Sequence, residues 1–296
     1  MFWFGLLAIA MADEPTTLPA GSASVYSGVG VSTFRRLNDS LRDRSVKARL
    51  DLYGSYGLHD RLQLSLSAPL LYGTVVDDPD TLPCPGVLAS EGYCDPYVTV
   101  GPGRLDLRSP LVRGPFRLAL GMGLQGDPWN RRIRGRYASP GTGTLMVAPY
   151  LLMGPRLPLA DDLVLSVTAG GSYVGSLAGK ANDGFLFVRA PSDAVQALGQ
   201  VRLELPGPLA AETGVAYDHR LAGLALGPSW QASYFPQDDR WNVLRTRLLT
   251  GTGKVSVDLP QSMGLHLAVT WLYEVEEGPT DLVDVSLGWH KYFAPR

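Results

Sequence analysis

Val46-Lys47-Ala48-Arg49-Leu50-Asp51-Leu52-Tyr53 alternates with a period of two. Val46, Ala48, Leu50 and Leu52 share one face and Lys47, Arg49, Asp51 and Tyr53 the other, the pattern of a β-strand with one apolar side. Gly57-Leu58-His59-Asp60 then supplies turn residues, after which Leu62, Leu64 and Leu66 alternate with Gln63, Ser65 and Ser67. This reads as a hairpin with its leucines on a common face. The two cations decide what that face meets. Lys or Arg directed at hydrocarbon near the middle of a bilayer costs about 2–4 kcal/mol. In a membrane-spanning strand the charged row therefore lines an interior and the leucines meet lipid.

The same alternation recurs along the chain. Phe116, Leu118, Leu120, Met122 and Leu124 alternate with Arg117, Ala119, Gly121, Gly123 and Gln125, and Val201, Leu203 and Leu205 with Gln200, Arg202 and Glu204. Leu265, Leu267, Val269 and Trp271, then Val283, Val285, Leu287 and Trp289, continue it to the end. Soluble β-sandwiches alternate too, so the connections arbitrate. Short turns at 57–60, 113–115, 155–161 and 206–208 are separated by long polar stretches near 35–45, 73–103, 127–142 and 174–192. Short turns at one rim and long loops at the other are the mark of outer-membrane barrels, and a sandwich has no reason to sort its loops by length. The expectation is an all-β, transmembrane, antiparallel up-and-down β-barrel occupying residues 22–296, with about 12–14 strands of about ten residues each. A direct count gives fourteen, and 223–274 is the region hardest to divide.

Composition agrees with this class and excludes others. Of 296 residues, 45% are hydrophobic and 18% charged, too apolar for a disordered chain. With 28 acidic and 26 basic residues, there is no net basic surface for nucleic acid. Residues 1–12 read as a signal peptide: an apolar run from Phe2 to Ala10, then Ala10-Met11-Ala12 as a cleavage site. Residues 13–21 form a short segment before the barrel. Export through the periplasm to a bacterial outer membrane is the expected localisation.

Tyr56-Gly57-Leu58-His59-Asp60-Arg61-Leu62-Gln63-Leu64-Ser65-Leu66-Ser67-Ala68-Pro69-Leu70 resembles a hairpin common in outer-membrane transporters of the family named for the meta-pathway of phenol degradation. Gly103-Arg104-Leu105-Asp106-Leu107 is similar to the hairpin that follows there. The barrel domains of OmpA-like proteins are a second resemblance. Together they cover about the first half of the mature chain. They imply uptake of small solutes, hydrophobic ones among them, and identify no binding residue. The end of the chain resembles the signal read by the barrel-assembly machinery, with Ser286, Gly288 and Phe293 in the polar, glycine and aromatic places. Lys291 and the trailing Ala294-Pro295-Arg296 depart from it.

Few residues suggest other chemistry. Cys84 and Cys94 are the only cysteines. Both fall in the longest loop, and in an oxidising compartment they read as a disulfide. No metal site is expected there, since no histidine lies nearby. Gly121-Met122-Gly123-Leu124-Gln125-Gly126 matches a dinucleotide-binding pattern only formally, because Asp127-Pro128-Trp129-Asn130 leads into a loop and not a helix. Asp218 and His219 are strand neighbours, so they point to opposite faces and form no acid–base pair. No catalytic residue and no cofactor are expected.

Two sets of charges remain. Arg131, Arg132, Arg134 and Arg136 form a basic run in a predicted extracellular loop. It is either a solvated loop or a site for lipopolysaccharide phosphates and anionic solutes. Lys47, Arg49, Asp51, Asp106, Arg108, Arg117, Arg202, Glu204, Glu212, Arg245 and Arg247 fall on predicted interior faces. Mixed charges there either pair into a plug or border an aqueous constriction. A barrel of this width favours the second. The functional expectation is a channel or transporter for small solutes, with a non-conducting scaffold barrel that binds partners through its loops as the alternative.

Overall fold

The computed structural model describes residues 16–38, 41–76, 97–101, 103–126, 144–179, 194–220, 247–274 and 278–295. These contain thirteen strand segments: β1 (Ala23–Asn38), β2 (Leu41–His59), β3 (Leu62–Val76), β4 (Tyr97–Val100), β5 (Gly103–Val112), β6 (Phe116–Gly126) and β7 (Thr144–Ala160), then β8 (Leu163–Gly179), β9 (Ala194–Glu204), β10 (Leu209–Arg220), β11 (Arg247–Leu259), β12 (Met263–Glu274) and β13 (Gly278–Phe293). Apart from β4 and β5, which both pair with β3, consecutive strands pair antiparallel, and β13 returns to pair with β1 from Ala23↔Phe293 to Thr33↔Val283.

The ladder count sets the number of wall strands. β3 pairs with β5 through Gln63↔Arg108 to Ser67↔Arg104, and further along with β4 through Leu70↔Val100 to Gly73↔Tyr97. β4 and β5 are thus two parts of one wall strand, interrupted at a Gly-Pro step whose proline brings no N–H to a ladder. The barrel therefore has twelve strands, the lower end of the expected range. A direct count of fourteen does not fit, because β10 pairs β11 and β12 pairs β13 directly and the closed ladder has no gap for another strand.

An even number of strands brings the start of β1 and the end of β13 to one rim. The turns at that rim are Asp60-Arg61, 113–115, Asp161-Asp162, 206–208 and 260–262. Gly207 at φ 90° and the consecutive left-handed pair Gln261 (64°) and Ser262 (57°) make two of them tight. The short turns of outer-membrane barrels face the periplasm, which orients this rim inward toward the cell.

Two expected loops are largely strand. Residues 35–38 and 41–45 continue β1 and β2, down to the pair Asn38↔Leu41. Arg35, Arg36, Arg42, Asp43 and Arg44 interrupt the apolar alternation of the sequence there, while the hydrogen-bond ladder goes on. Residues 155–160 likewise belong to β7, leaving only Asp161-Asp162 as turn.

The two faces separate cleanly. Val29, Leu66, Met122, Val255, Leu267 and Leu287 lie on the outer surface, more than half exposed. Inward positions are small or polar: Ser32, Ser65, Ser166, Thr168, Thr250, Ser256 and Ser286 are all buried. This inverts a soluble protein, whose exposed face is polar, and matches a barrel that turns hydrocarbon to lipid. The inner face also carries apolar side chains: a small patch of Met146, Ala148, Val174 and Ala194, and Leu71 and Leu152.

The segment before β1 is tied across the short-turn rim. Leu18 N–H donates to Gln63 Oε1 (2.8 Å), Ala20 N–H to Asp60 Oδ1 (3.1 Å), and Gly21 N–H to the Gly57 carbonyl (2.8 Å). Thr17 reaches the β5–β6 turn, where Arg113 Nη2 donates to its Oγ1 at 3.4 Å. Residues 1–15, including the expected signal peptide, lie outside the described residues.

Candidate functional site

The interior is where the barrel concentrates its chemistry, and strand parity delivers it. On β2 the odd positions face inward, so Arg49, Asp51 and Tyr53 do. On β13 the even positions do, which turns Asp284 in among the outward valines 283 and 285. These strands flank β1, and Arg49 spans them. Its Nε binds Asp51 Oδ2 at 2.6 Å and its Nη1 binds Asp284 Oδ2 at 2.5 Å. Asp284 is only 1% exposed. A carboxylate this buried is tolerable only because it is charge-paired and hydrogen-bonded.

A second cluster lies on β5 and β7. Arg104 Nη2 binds Asp106 Oδ2 at 2.8 Å, the Tyr150 hydroxyl donates to Asp106 Oδ1 at 2.5 Å, and Arg108 Nε donates to the Tyr150 oxygen at 3.2 Å. Both guanidiniums lie near the Tyr150 ring, at 5.5 and 5.9 Å from its centroid, within reach of a cation–π attraction. A third cluster runs over β7, β9, β10 and β11: Arg156 to Glu204 at 2.7 Å, Arg202 to Glu204 at 3.6 Å, Arg202 to Glu212 at 3.9 Å and Lys254 to Glu212 at 3.7 Å. Beside the clusters, Gln196 donates to Asp218 (2.7 Å), and Tyr26 stacks on His266 with ring centroids 4.9 Å apart and an Oη···Nε2 contact of 3.0 Å.

Two interior cavities lie between these groups. One of about 290 Å³ is bordered by Tyr26, Arg49, Asp51, Lys254, His266 and Asp284, with serine and threonine hydroxyls between them. The other, of about 60 Å³, is bordered by Arg104, Asp106, Arg108, Tyr150, Gln196 and Asp218, with Leu152 and Leu198 supplying an apolar side. Tyr53 borders both. The lining charges are mostly paired with one another, so a solute meets hydrogen-bonding groups and compensated charge.

The sequence-derived candidates distribute as follows. Arg49, Asp51, Asp106, Arg108, Arg202, Glu204 and Glu212 come together in the three clusters. Arg117 stands in the inward row of β6 with Ala119, which is fully buried. Lys47 pairs in register with Ser32, and its side chain lies outside the described residues. Arg247 pairs with His219, in step with Leu249 and not with the inward Thr250 and Lys254. Its backbone position thus belongs to the outward row, against the expectation, because no continuous alternation leads up to this strand to fix which face its residues take. Its side chain is not described. Arg131, Arg132, Arg134, Arg136, Arg245, Cys84 and Cys94 lie outside the described residues.

Sequence reading missed Asp284, Arg104, Arg156, Lys254, Tyr26 and Tyr150. Parity alone would have placed Asp284, Arg104, Tyr26 and Tyr150 inward, whereas Arg156 fell in the expected turn at 155–161 and Lys254 in the undivided region 223–274. Asp284 sits between two residues already assigned outward, which was the signal available. The separation of Asp218 from His219 is as expected: Asp218 is buried toward Gln196, while His219 stacks with its outward neighbour Tyr217. Gly121 and Gly123 lie in mid-strand, so no dinucleotide loop forms around them. Among the described residues, no group of His, Cys, Asp or Glu is arranged to hold a metal ion.

Fold and interior define a twelve-stranded transmembrane barrel of the outer-membrane type. No family model and no curated protein matches the chain. Solved structures do. An outer membrane channel from Pseudomonas putida F1 superposes with a TM-score of 0.62 at 18% identity, over 94% of this chain and 97% of that one. The translocator domain of the autotransporter NalP from Neisseria meningitidis superposes with a TM-score of 0.50 at 11% identity, over 98% and 94%. The toluene transporter TbuX from Ralstonia pickettii is similar with a TM-score of 0.44 at 11% identity, over 96% and 93%. At these identities the likeness concerns the fold.

Proposed function

We propose that this barrel is a channel of the bacterial outer membrane, reached by export through the periplasm, that passes small solutes through its charged interior. The observation that carries the reading is the pair of interior cavities bordered in common by Tyr53, lined by paired charges and hydroxyls and not filled by packed hydrocarbon. Charge pairs fixed to the wall shape an aqueous route without blocking it. Leu152, Leu198 and Tyr150 give the narrower cavity an apolar side. Solutes that combine a small apolar or aromatic body with a polar group fit both environments. The reading is non-enzymatic.

Conductance in planar bilayers is the test. Refolded protein showing heat-modifiable migration is expected to give discrete openings. A folded barrel that never conducts would overturn the channel and favour a scaffold barrel, a role with which the segment tied across the short-turn rim is compatible.

Two loop features belong to the same proposal. Cys84 and Cys94 form a disulfide in the exported protein, and Arg131, Arg132, Arg134 and Arg136 meet lipopolysaccharide phosphates. Intact mass under non-reducing conditions is expected to be two hydrogens lighter than after reduction. Equal masses would refute the bridge. The barrel-assembly machinery reads the final strand.

A further inference from the structure

We infer that the width of the bore is set by six inward-facing glycines, Gly30, Gly121, Gly123, Gly170, Gly264 and Gly288, each seating a bulky side chain of the adjacent strand flat against the wall. The inference rests on the channel reading and names residues that determine what passes.

Glycine weakens a strand, so its repeated use in strand interiors calls for a reason such as close approach. Here the approach is by side chains, and register shows it. Gly30 pairs directly with Arg49, Gly121 with Tyr150, Gly170 with Leu152, Gly264 with His290, and Gly288 with His266. In each pair the large side chain lies over the glycine. A methyl group on Gly30 would stand 3.1 Å from Arg49 Nε, and one on Gly170 would stand 2.6 Å from Leu152 Cδ2. On Gly288 it would meet His266 Nε2 and the Tyr26 hydroxyl, each at 2.7 Å. On Gly121 and Gly264 it would run into the rings of Tyr150 and His290. Gly123 seats Arg104 diagonally, with Nη2 at 2.9 Å from the same hypothetical methyl.

The pattern is not a property of every glycine in the wall. The outward Gly199 and Gly253 have nothing within 4 Å of that position. Outward Gly251 does seat Trp271, which shows that a directly paired glycine accepts a bulky neighbour on either face. Only on the inner face does the seating bear on the bore. Without it, Arg49, His266 and His290 from β2, β12 and β13 on one side, and Tyr150 and Leu152 from β7 across from them, would project toward the axis of a barrel of twelve strands. Pore diameter and lining groups together decide permeation. The glycines thus act as positioning residues: they touch no solute, and they keep the residues that do against the wall.

Gly121→Ala is the test, with Gly251→Ala as the outward control. In planar bilayers Gly121→Ala is expected to reduce single-channel conductance by about half or more, with heat-modifiable migration retained. Adding Tyr150→Ala removes the displaced ring and is expected to restore conductance to the wild-type level or above. A second readout is independent of conduction. In a cysteine-free background carrying Ala216→Cys, which borders the narrower cavity, labelling by a hydrophilic thiol reagent is expected to slow in Gly121→Ala, recover with Tyr150→Ala, and stay unchanged in Gly251→Ala. Gly30→Ala, read against Arg49→Ala, serves if Gly121→Ala does not fold. Unchanged conductance and labelling in folded Gly121→Ala, or no rescue by Tyr150→Ala, would overturn the inference. A wild-type barrel that never conducts but whose labelling follows the expected order would refute the channel and leave the seating intact.

Discussion

Leu287→Arg is expected to destabilise the barrel in lipid vesicles by about 2–4 kcal/mol, whereas Ser286→Arg, one residue away, should change stability by less than about 1 kcal/mol. Leu287 is 55% exposed on the outer face of β13, paired with the equally outward Leu267 of β12. A guanidinium there must leave water for hydrocarbon, or drag headgroups and water toward it. Ser286 is buried on the opposite face and borders the larger cavity, so an arginine at 286 meets polar neighbours such as Asp284. Urea unfolding in vesicles measures both. Equal losses would show that the faces of β13 have been assigned wrongly, and with them the interior itself.

Arg49→Ala is expected to shift selectivity toward cations. Arg49 holds Asp51 and Asp284 through short ion pairs on one wall of the larger cavity. With it the three groups carry a net charge of −1, and without it −2 at alkaline pH, where both carboxylates stay ionised. A carboxylate pair facing a narrow, low-dielectric passage concentrates counter-ions locally. The cation-to-anion permeability ratio, read from reversal potentials under a salt gradient, should rise about 2–5-fold, most at low ionic strength. Adding Asp284→Asn returns the wall to −1 and should bring the ratio most of the way back. If Arg49→Ala folds and the ratio does not move, the cluster lies off the conduction path and the selectivity role assigned to it is wrong.

Both experiments depend on which face a residue occupies, and much of that was legible beforehand. Val46 to Tyr53 carries it locally: a strand has two faces, and a row holding Lys47 and Arg49 cannot face lipid cheaply. The same logic would have drawn in Asp284, because Val283 and Val285 were already outward. It failed at Arg247, where no continuous alternation led up to the strand and one residue of slip inverts every assignment. It failed at 35–45 for another reason: charged residues interrupt the apolar alternation there, so the hydrophobic pattern stops where the hydrogen-bonded ladder does not.

Alternation, turn spacing and the position of charges determined that this chain is a transmembrane β-barrel with an apolar exterior and a charged interior. Those signals are local, since residues two apart share a face in any strand. Tertiary structure decided what the interior charges do. Asp284 is 235 residues from Arg49 in sequence, and only closure of β13 onto β1 brings it within hydrogen-bonding distance. Closure also fixed the number of strands at twelve, while the ladders between neighbouring strands set β4 and β5 along one edge of β3, Gly30 opposite Arg49 and Gly121 opposite Tyr150. Register between strands is a relation between distant segments. Period-two patterning specifies faces and leaves the choice of partner to the closed ladder.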